Sequence, residues 1–198
     1  MPPYLFLPDF LETRIASDVL AYTLAHERMF EPTRVVTVMK IAADPATRLS
    51  LGMDDLGPFK PILKSRILRE LPALVAKLRA SPIVTPGIEL QLVAHNDGAF
   101  FSRHVDTNTS SERKHVRVLS GVYYFHRNPK AFRGGALRLF AVGNREHHVD
   151  IEPVNNTLLV FPSWTAHEVR PVSCPSRRFI DSRFSINCWV YRAPAKAA

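Results

Sequence analysis

Apolar residues recur at two different periods along this chain, and the period changes near Gly87. Before that point the spacing is helical. Over residues 9–30, Leu11, Ile15, Val19, Leu20 and Leu24 mark one rough face, with Asp9 available as a cap. Pro58–Arg79 is the clearest helix, because Phe59, Ile62, Leu63, Ile67, Leu71, Leu74, Val75 and Leu78 share a stripe. Such a stripe is the mark of a helix packed on a core. Val35–Ile41 reads as a strand. Pro82 and Pro86-Gly87 then break the helical pattern.

Beyond Gly87 short β-like runs alternate with turn signals. The runs are Ile88–Ala94, Ala99–Val105, Val116–Phe125, Ala136–Val142, Thr157–Phe161, Glu168–Val172 and Phe184–Tyr191. Many short strands at such spacing argue for a sandwich or a jelly roll. The predicted class is α+β, mainly β: a double-stranded β-helix (jelly roll, cupin-like) with an N-terminal helical layer. We expect one domain over residues 1–198, with 1–86 as helical support and 87–192 as the jelly-roll core. The stretch near 80–87 reads as a connection, not a domain linker.

Composition narrows the setting. The 198 residues suit one full core. No apolar run approaches the roughly 20 residues that a membrane span requires. The N-terminus lacks a basic region, and prolines break its short apolar stretch, so it is a poor signal peptide. Without an export signal, Cys174 and Cys188 are expected as reduced thiols and the protein as cytoplasmic. The net charge is +8. That favours anionic partners, nucleic acid among them, but it equally describes a plain basic surface. The arginines are spread along the chain, with no block of like charge.

The candidate chemistry begins at His104-Val105-Asp106. Strand side chains alternate, so a histidine and a carboxylate two positions apart share a face and can bind one metal ion side by side. His167, where an apolar strand turns into the next, supplies a third ligand. Two histidines and one carboxylate leave about three positions open on an octahedral ion, the pattern of non-haem Fe(II) oxygenases. The motif alone is weak, since His148-Val149-Asp150 repeats it beside His147. We read that second copy as a surface strand start. It lies too close to His167, and it would leave Gly134-Gly135-Ala136-Leu137-Arg138-Leu139-Phe140 with no place between the ligands. His26, His115, His126 and His147 read as surface or structural. His95 lies on a strand that could face the cavity.

Arg183-Phe184-Ser185 opens the last strand. Arg183 and Ser185 face one way, and a guanidinium fork beside a hydroxyl can hold a carboxylate. A structural salt bridge is the plainer use of such an arginine. Arg177 and Arg178 compete for the role from the loop Pro175-Ser176-Arg177-Arg178, and we expect them exposed.

With those segments in place, the chain resembles the Fe(II)/2-oxoglutarate-dependent oxygenases of the prolyl 4-hydroxylase-like branch. The matching pieces run in family order: His104-Val105-Asp106, Val122-Tyr123-Tyr124-Phe125, Gly134–Phe140, Val160-Phe161-Pro162-Ser163, His167-Glu168-Val169 and Arg183–Trp189. The resemblance covers the C-terminal half. It implies Fe(II) on His104, Asp106 and His167. It implies that Arg183 grips the distal carboxylate of 2-oxoglutarate, with Ser185 and Tyr124 as helpers. Many relatives carry a tyrosine where His95 stands, so His95 is a candidate for binding the oxoacid or substrate. The insert around Ser173–Asp181 is longer than in many prolyl hydroxylases and is a candidate lid or substrate edge.

The resemblance further implies Fe(II), 2-oxoglutarate and O2 as cofactors, succinate and CO2 as products, and hydroxylation as the outcome. No catalytic group beyond the metal ligands is expected. Related halogenases lack the carboxylate, so Asp106 argues against halogenation. The substrate class stays open between a protein residue, an amino acid and another small metabolite. Two alternatives are carried. One is a nucleic-acid demethylase, although such relatives bear a further arginine where Trp189 stands here. The other is a non-catalytic metal-binding jelly-roll sensor.

Overall fold

The period-2 alternation of the C-terminal half folds into two facing antiparallel sheets. The computed structural model describes residues 1–36, 41–42, 44–84, 86–107 and 115–192. In chain order the elements are β1 (Leu5–Leu7), α1 (Thr13–Ala25), β2 (Glu31–Pro32), β3 (Val35–Val36), β4 (Ile41–Ala42), β5 (Arg48–Leu49) and β6 (Leu51–Met53). Then come α2 (Phe59–Leu78), β7 (Pro86–His95), β8 (Phe100–His104), β9 (Val116–Phe125), β10 (Arg133–Gly134) and β11 (Leu137–Ala141). The chain continues through β12 (Asn144–Ile151), β13 (Thr157–Pro162), β14 (His167–Val169), β15 (Val172–Ser173) and β16 (Arg183–Arg192). The larger sheet runs β1-β13-β9-β16-β7-β6-β2 and the smaller β12-β11-β14-β8-β5. This is the double-stranded β-helix that the sequence predicts.

Alternation divides the larger sheet into two chemistries. Leu90, Leu92, Tyr123, Phe125, Leu158, Val160, Phe184, Ile186, Cys188 and Val190 face the helices. Leu63, Ile67, Leu71, Leu74 and Leu78 of α2 pack on them as one buried stripe. Ile62 lies off that stripe and is exposed. The opposite face contributes Val122, Tyr124, Leu159 and Phe161, which meet Leu137, Leu139, Ile151 and Val169 of the smaller sheet. The site occupies the mouth between the sheets.

The N-terminal segment differs from expectation. Residues 1–86 are not a helical layer alone: β1, β2 and β6 extend the larger sheet and β5 the smaller. The first helix begins at Thr13, not Asp9, whose backbone turns through the left-handed region at φ 48°. Phe10 and Leu11 are instead drawn into the core outside any helix. Asn156 holds them there: Oδ1 accepts from the Leu11 N–H at 3.0 Å and Nδ2 donates to the Leu11 carbonyl at 2.8 Å. Of the expected strand Val35–Ile41, residues 37–40 lie outside the described residues, as do Asn108–Ser111 beyond Asp106. The polar strand β12 was expected only as a strand start at His148. It is an edge strand of the smaller sheet, turning Val149 and Ile151 to the core.

The insert around Ser173–Asp181, expected as a lid or a substrate edge, is tied down. Cys174 and Asp181 are buried, Phe179 packs against Phe30 and Phe184, and Arg127 pairs with Asp181 at 2.6 Å. Both cysteines are buried and free. Among the described residues no helix is long and apolar enough to cross a membrane.

Candidate active site

His104 closes β8, His167 opens β14, and the two are register partners across that pair. Their rings therefore lie side by side, tilted by 55°, with centroids 4.2 Å apart. Each Nδ1 lies against a backbone carbonyl two residues back: Ser102 at 2.8 Å for His104 and Thr165 at 2.9 Å for His167. Nδ1–H donation to those carbonyls leaves each Nε2 lone pair free, the tautomer a metal ligand requires. Asp106 follows the strand end, its backbone N–H bonded to the Ser163 carbonyl at 3.0 Å. Its Oδ1 is 3.7 Å from His104 Nε2 and its Oδ2 is 3.6 Å from His167 Nε2. All three ligand atoms lie within 4.8 Å of one another, close enough to share one ion.

The surroundings keep His104 and Asp106 in ligating form. Burial, and then the charge of His167, pushes His104 down to about 3. Burial alone would raise the Asp106 carboxyl. His167, His104 and hydrogen bonds from Ser120 and Trp189 outweigh it and hold the carboxyl below its ordinary range. Ser120 donates to Oδ2 at 2.6 Å, so its own oxygen is left to accept from Ser163 at 2.9 Å.

The anion anchor is built on three neighbouring strands. Arg183 of β16 is opposite His95 of β7, and Ser185 is opposite Tyr124 of β9. Arg183 is only 1% exposed. Its Nε donates to the Gly135 carbonyl at 2.7 Å, and a terminal nitrogen lies 3.4 Å from His95 Nδ1. The guanidinium lies over the Tyr124 ring, 4.9 Å from its centroid, without reaching hydrogen-bond geometry to the phenol. Arg183 Nη2, His95 Nε2, Tyr124 Oη and Ser185 Oγ are all buried and unpartnered. Buried polar atoms ordinarily find partners, and four orphans around one cation fit a bound carboxylate. Burial, reinforced by Arg183 and Arg48, pushes His95 well below its ordinary range, so its imidazole is neutral. Burial likewise raises the Tyr124 phenol to about 12, keeping it a hydrogen-bond donor.

One pocket joins the two halves, lined among others by His104, Asp106, His167, Arg183, His95 and Arg48. Of the seven residues expected from the sequence, five line it, while Tyr124 and Ser185 lie beside Arg183 without lining the pocket. The second motif does not line it: His148 is exposed, and Asp150 accepts from Nε and Nη2 of Arg138 at 2.7 and 2.8 Å. Arg177 and Arg178 are exposed, Arg177 pairing with Asp97. Sequence reasoning passed over Asn187 and Trp189, although alternation from Arg183 puts both on the pocket face. It also passed over Ser120 and Arg48. Arg48 carries no local signal, because only the pairing of β5 with β8 brings it to the site.

A model of the 2OG-Fe(II) oxygenase superfamily matches residues 90–191, from β7 to β16. An uncharacterised PKHD-type hydroxylase of Synechocystis is 41% identical over 136 residues, 65% of this chain. The match spans 44% of that relative's length, under half of it. Among solved structures, a prolyl 4-hydroxylase of Pseudomonas putida superposes with a TM-score of 0.70 at 21% identity, covering 96% of this chain and 92% of that one. A Trichoplax adhaerens prolyl hydroxylase, solved with a hypoxia inducible factor peptide fragment, gives 0.69 at 18% identity, covering 95% and 83%. At such identities the likeness is one of fold.

Proposed function

The chain belongs to the 2OG-Fe(II) oxygenase superfamily, and on that premise we propose that it is a 2-oxoglutarate-dependent hydroxylase of the prolyl 4-hydroxylase-like branch. One observation carries this reading: a metal-competent triad and a buried, under-bonded arginine share one pocket. His104, Asp106 and His167 would hold Fe(II), the Ser120 bond at Oδ2 leaving Oδ1 of Asp106 for the metal. Arg183 would take the distal carboxylate of 2-oxoglutarate by charge-assisted hydrogen bonds. The Tyr124 and Ser185 hydroxyls would complete that cradle, and neutral His95 can bond the oxoacid through Nε2.

Bound Fe(II), with 2-oxoglutarate and O2, supplies an oxidation that couples decarboxylation to succinate and CO2 with hydroxylation of a C–H bond. The chain's own share is binding, orientation and exclusion of water. Phe101 stacks on His104 at 3.6 Å between centroids, and Phe161 meets His167 edge-on at 4.8 Å. These rings fix the ligands and keep one side of the site dry. A cytoplasmic setting belongs to this reading, and the two free cysteines support it.

The test is succinate release from 2-oxoglutarate with added Fe(II) under air. Release should require both Fe(II) and O2. A protein that binds Fe(II) yet makes no succinate with any peptide, amino acid or oligonucleotide would be the sensor module instead.

A further inference from the structure

Arg48 is a second cation in the pocket, and no carboxylate among the described residues stands within ion-pair reach of it. It is 8% exposed. Its Nε donates to the Ser50 hydroxyl at 3.0 Å, and a terminal nitrogen reaches Gln91 Oε1 only at 3.5 Å. Its guanidinium lies 4.7 Å from the centroid of the Phe101 ring. These partners are neutral and claim few of the five N–H donors. A buried cation without a counter-charge is costly. Asp106 acts on it from a distance, but that carboxylate is already shared between two imidazoles and Ser120.

Position separates Arg48 from Arg183. Arg183 and His95 line only the inner pocket, whereas Arg48 lines both that pocket and the wider cleft outside it. It stands where the inner pocket opens into that cleft. Arg34, Lys60 and Lys64 line the same cleft. The cleft's carboxylates are engaged: Glu89 binds Arg117, and Asp54 accepts from Gln91 Nε2 at 3.1 Å. The mouth of the site is thus basic, with one buried guanidinium at its inner end.

We propose that Arg48 anchors a carboxylate on the substrate, so that this chain hydroxylates an acid. The inference rests on the oxygenase reading and adds a substrate class to it. The carboxylate belongs to a free small acid or to an acidic side chain or C-terminus of a peptide; the recognising chemistry is the same.

Matched probes test it: L-proline against L-prolinamide, and a proline-containing peptide with flanking glutamates against its glutamine twin. Two responses are read on the full chain. One is succinate release above the substrate-free rate with Fe(II) and 2-oxoglutarate. The other is the thermal shift a probe causes in protein saturated with Mn(II) and 2-oxoglutarate. In at least one pair the acid should exceed its neutral twin by about tenfold or more, the scale of one charge-assisted bond. Arg48→Gln should erase that preference and Arg48→Lys retain part of it. The pair that responds distinguishes free acid from peptide. Equal responses within every pair, no response to any acid, or a preference that survives Arg48→Gln overturns the proposal. So does an Arg48→Gln protein whose only defect is a raised 2-oxoglutarate requirement, since Arg48 would then serve the oxoacid. Absence of any succinate release from the unaltered protein, with or without a probe, strikes the oxygenase reading instead.

Discussion

The Gly135 carbonyl accepts the Nε–H of Arg183 at 2.7 Å, and the same glycine leaves the space in which that arginine's stem lies. A Cβ on residue 135 would stand 2.6 Å from Arg183 Cδ and 2.9 Å from Val172 Cγ2, on a backbone at φ +71°. Side chains rarely adopt that conformation. Gly135→Ala should therefore displace the guanidinium and raise the KM for 2-oxoglutarate by about tenfold or more, as misplaced binding groups do. Mn(II) affinity, measured alongside, should change little. An unchanged KM would detach Gly135 from the anchor.

Arg183→Leu removes the cation but keeps an apolar stem. The 2-oxoglutarate requirement should rise on the order of a hundredfold, in line with the loss of one partner from a buried charge pair. Metal binding by calorimetry should survive. If the oxoacid dependence holds steady, the anchor lies elsewhere in the pocket.

His104→Ala should abolish both metal binding and succinate release, whereas His148→Ala should leave both intact. The two histidines begin identical tripeptides, so the pair of variants isolates position from motif. Full metal affinity in His104→Ala would sink the ligand assignment.

Ser120→Ala strips one hydrogen bond from Asp106 without touching a ligand. Groups that orient metal ligands typically cost about 10–100-fold in affinity when removed. Mn(II) titration should show a loss in that range, and Ser120→Thr, which keeps the hydroxyl, should recover part of it.

Asn156→Ala tests the N-terminal clamp. It deletes the two bonds to Leu11 and a third, from the Tyr123 hydroxyl to Oδ1 at 3.0 Å. Leaving those buried groups unsatisfied should cost about 2–4 kcal/mol. Chemical denaturation reads the loss, and a change below about 0.5 kcal/mol would mean that the segment is held by apolar burial alone.

Legibility in the sequence followed the range of the interactions. Strand alternation is local, so the jelly roll, the triad and the Arg183–Ser185 face could be read from β8, β14 and β16 before any coordinates. The α2 stripe was legible for the same reason. What escaped depends on contacts distant in the chain. Arg48 reaches the pocket because β5 pairs with β8, and Phe10–Leu11 forgo a helix because Asn156 captures them. The short edge strands β1, β2 and β6 have too few residues to display a period. Two HxD tripeptides were indistinguishable as strings. Their surroundings differ physically: Arg138 claims Asp150, while Asp106 is turned inward by Ser120 and Ser163.

The proposed metal ligands His104 and His167 ride on the smaller sheet, while Arg183, Ser185 and Tyr124, the proposed anchor, ride on the larger. On that proposal a single oxoacid would bridge the two, and the gap between sheets would act as a calliper on the co-substrate. Leu139 and Val169 set one jaw, and Val122, Leu159 and Phe161 the other. Interiors packed as densely as crystals transmit small volume changes. Trimming or swelling these apolar side chains will retune oxoacid affinity with every polar group in place, and any drift in volume on one sheet has to be matched on the other.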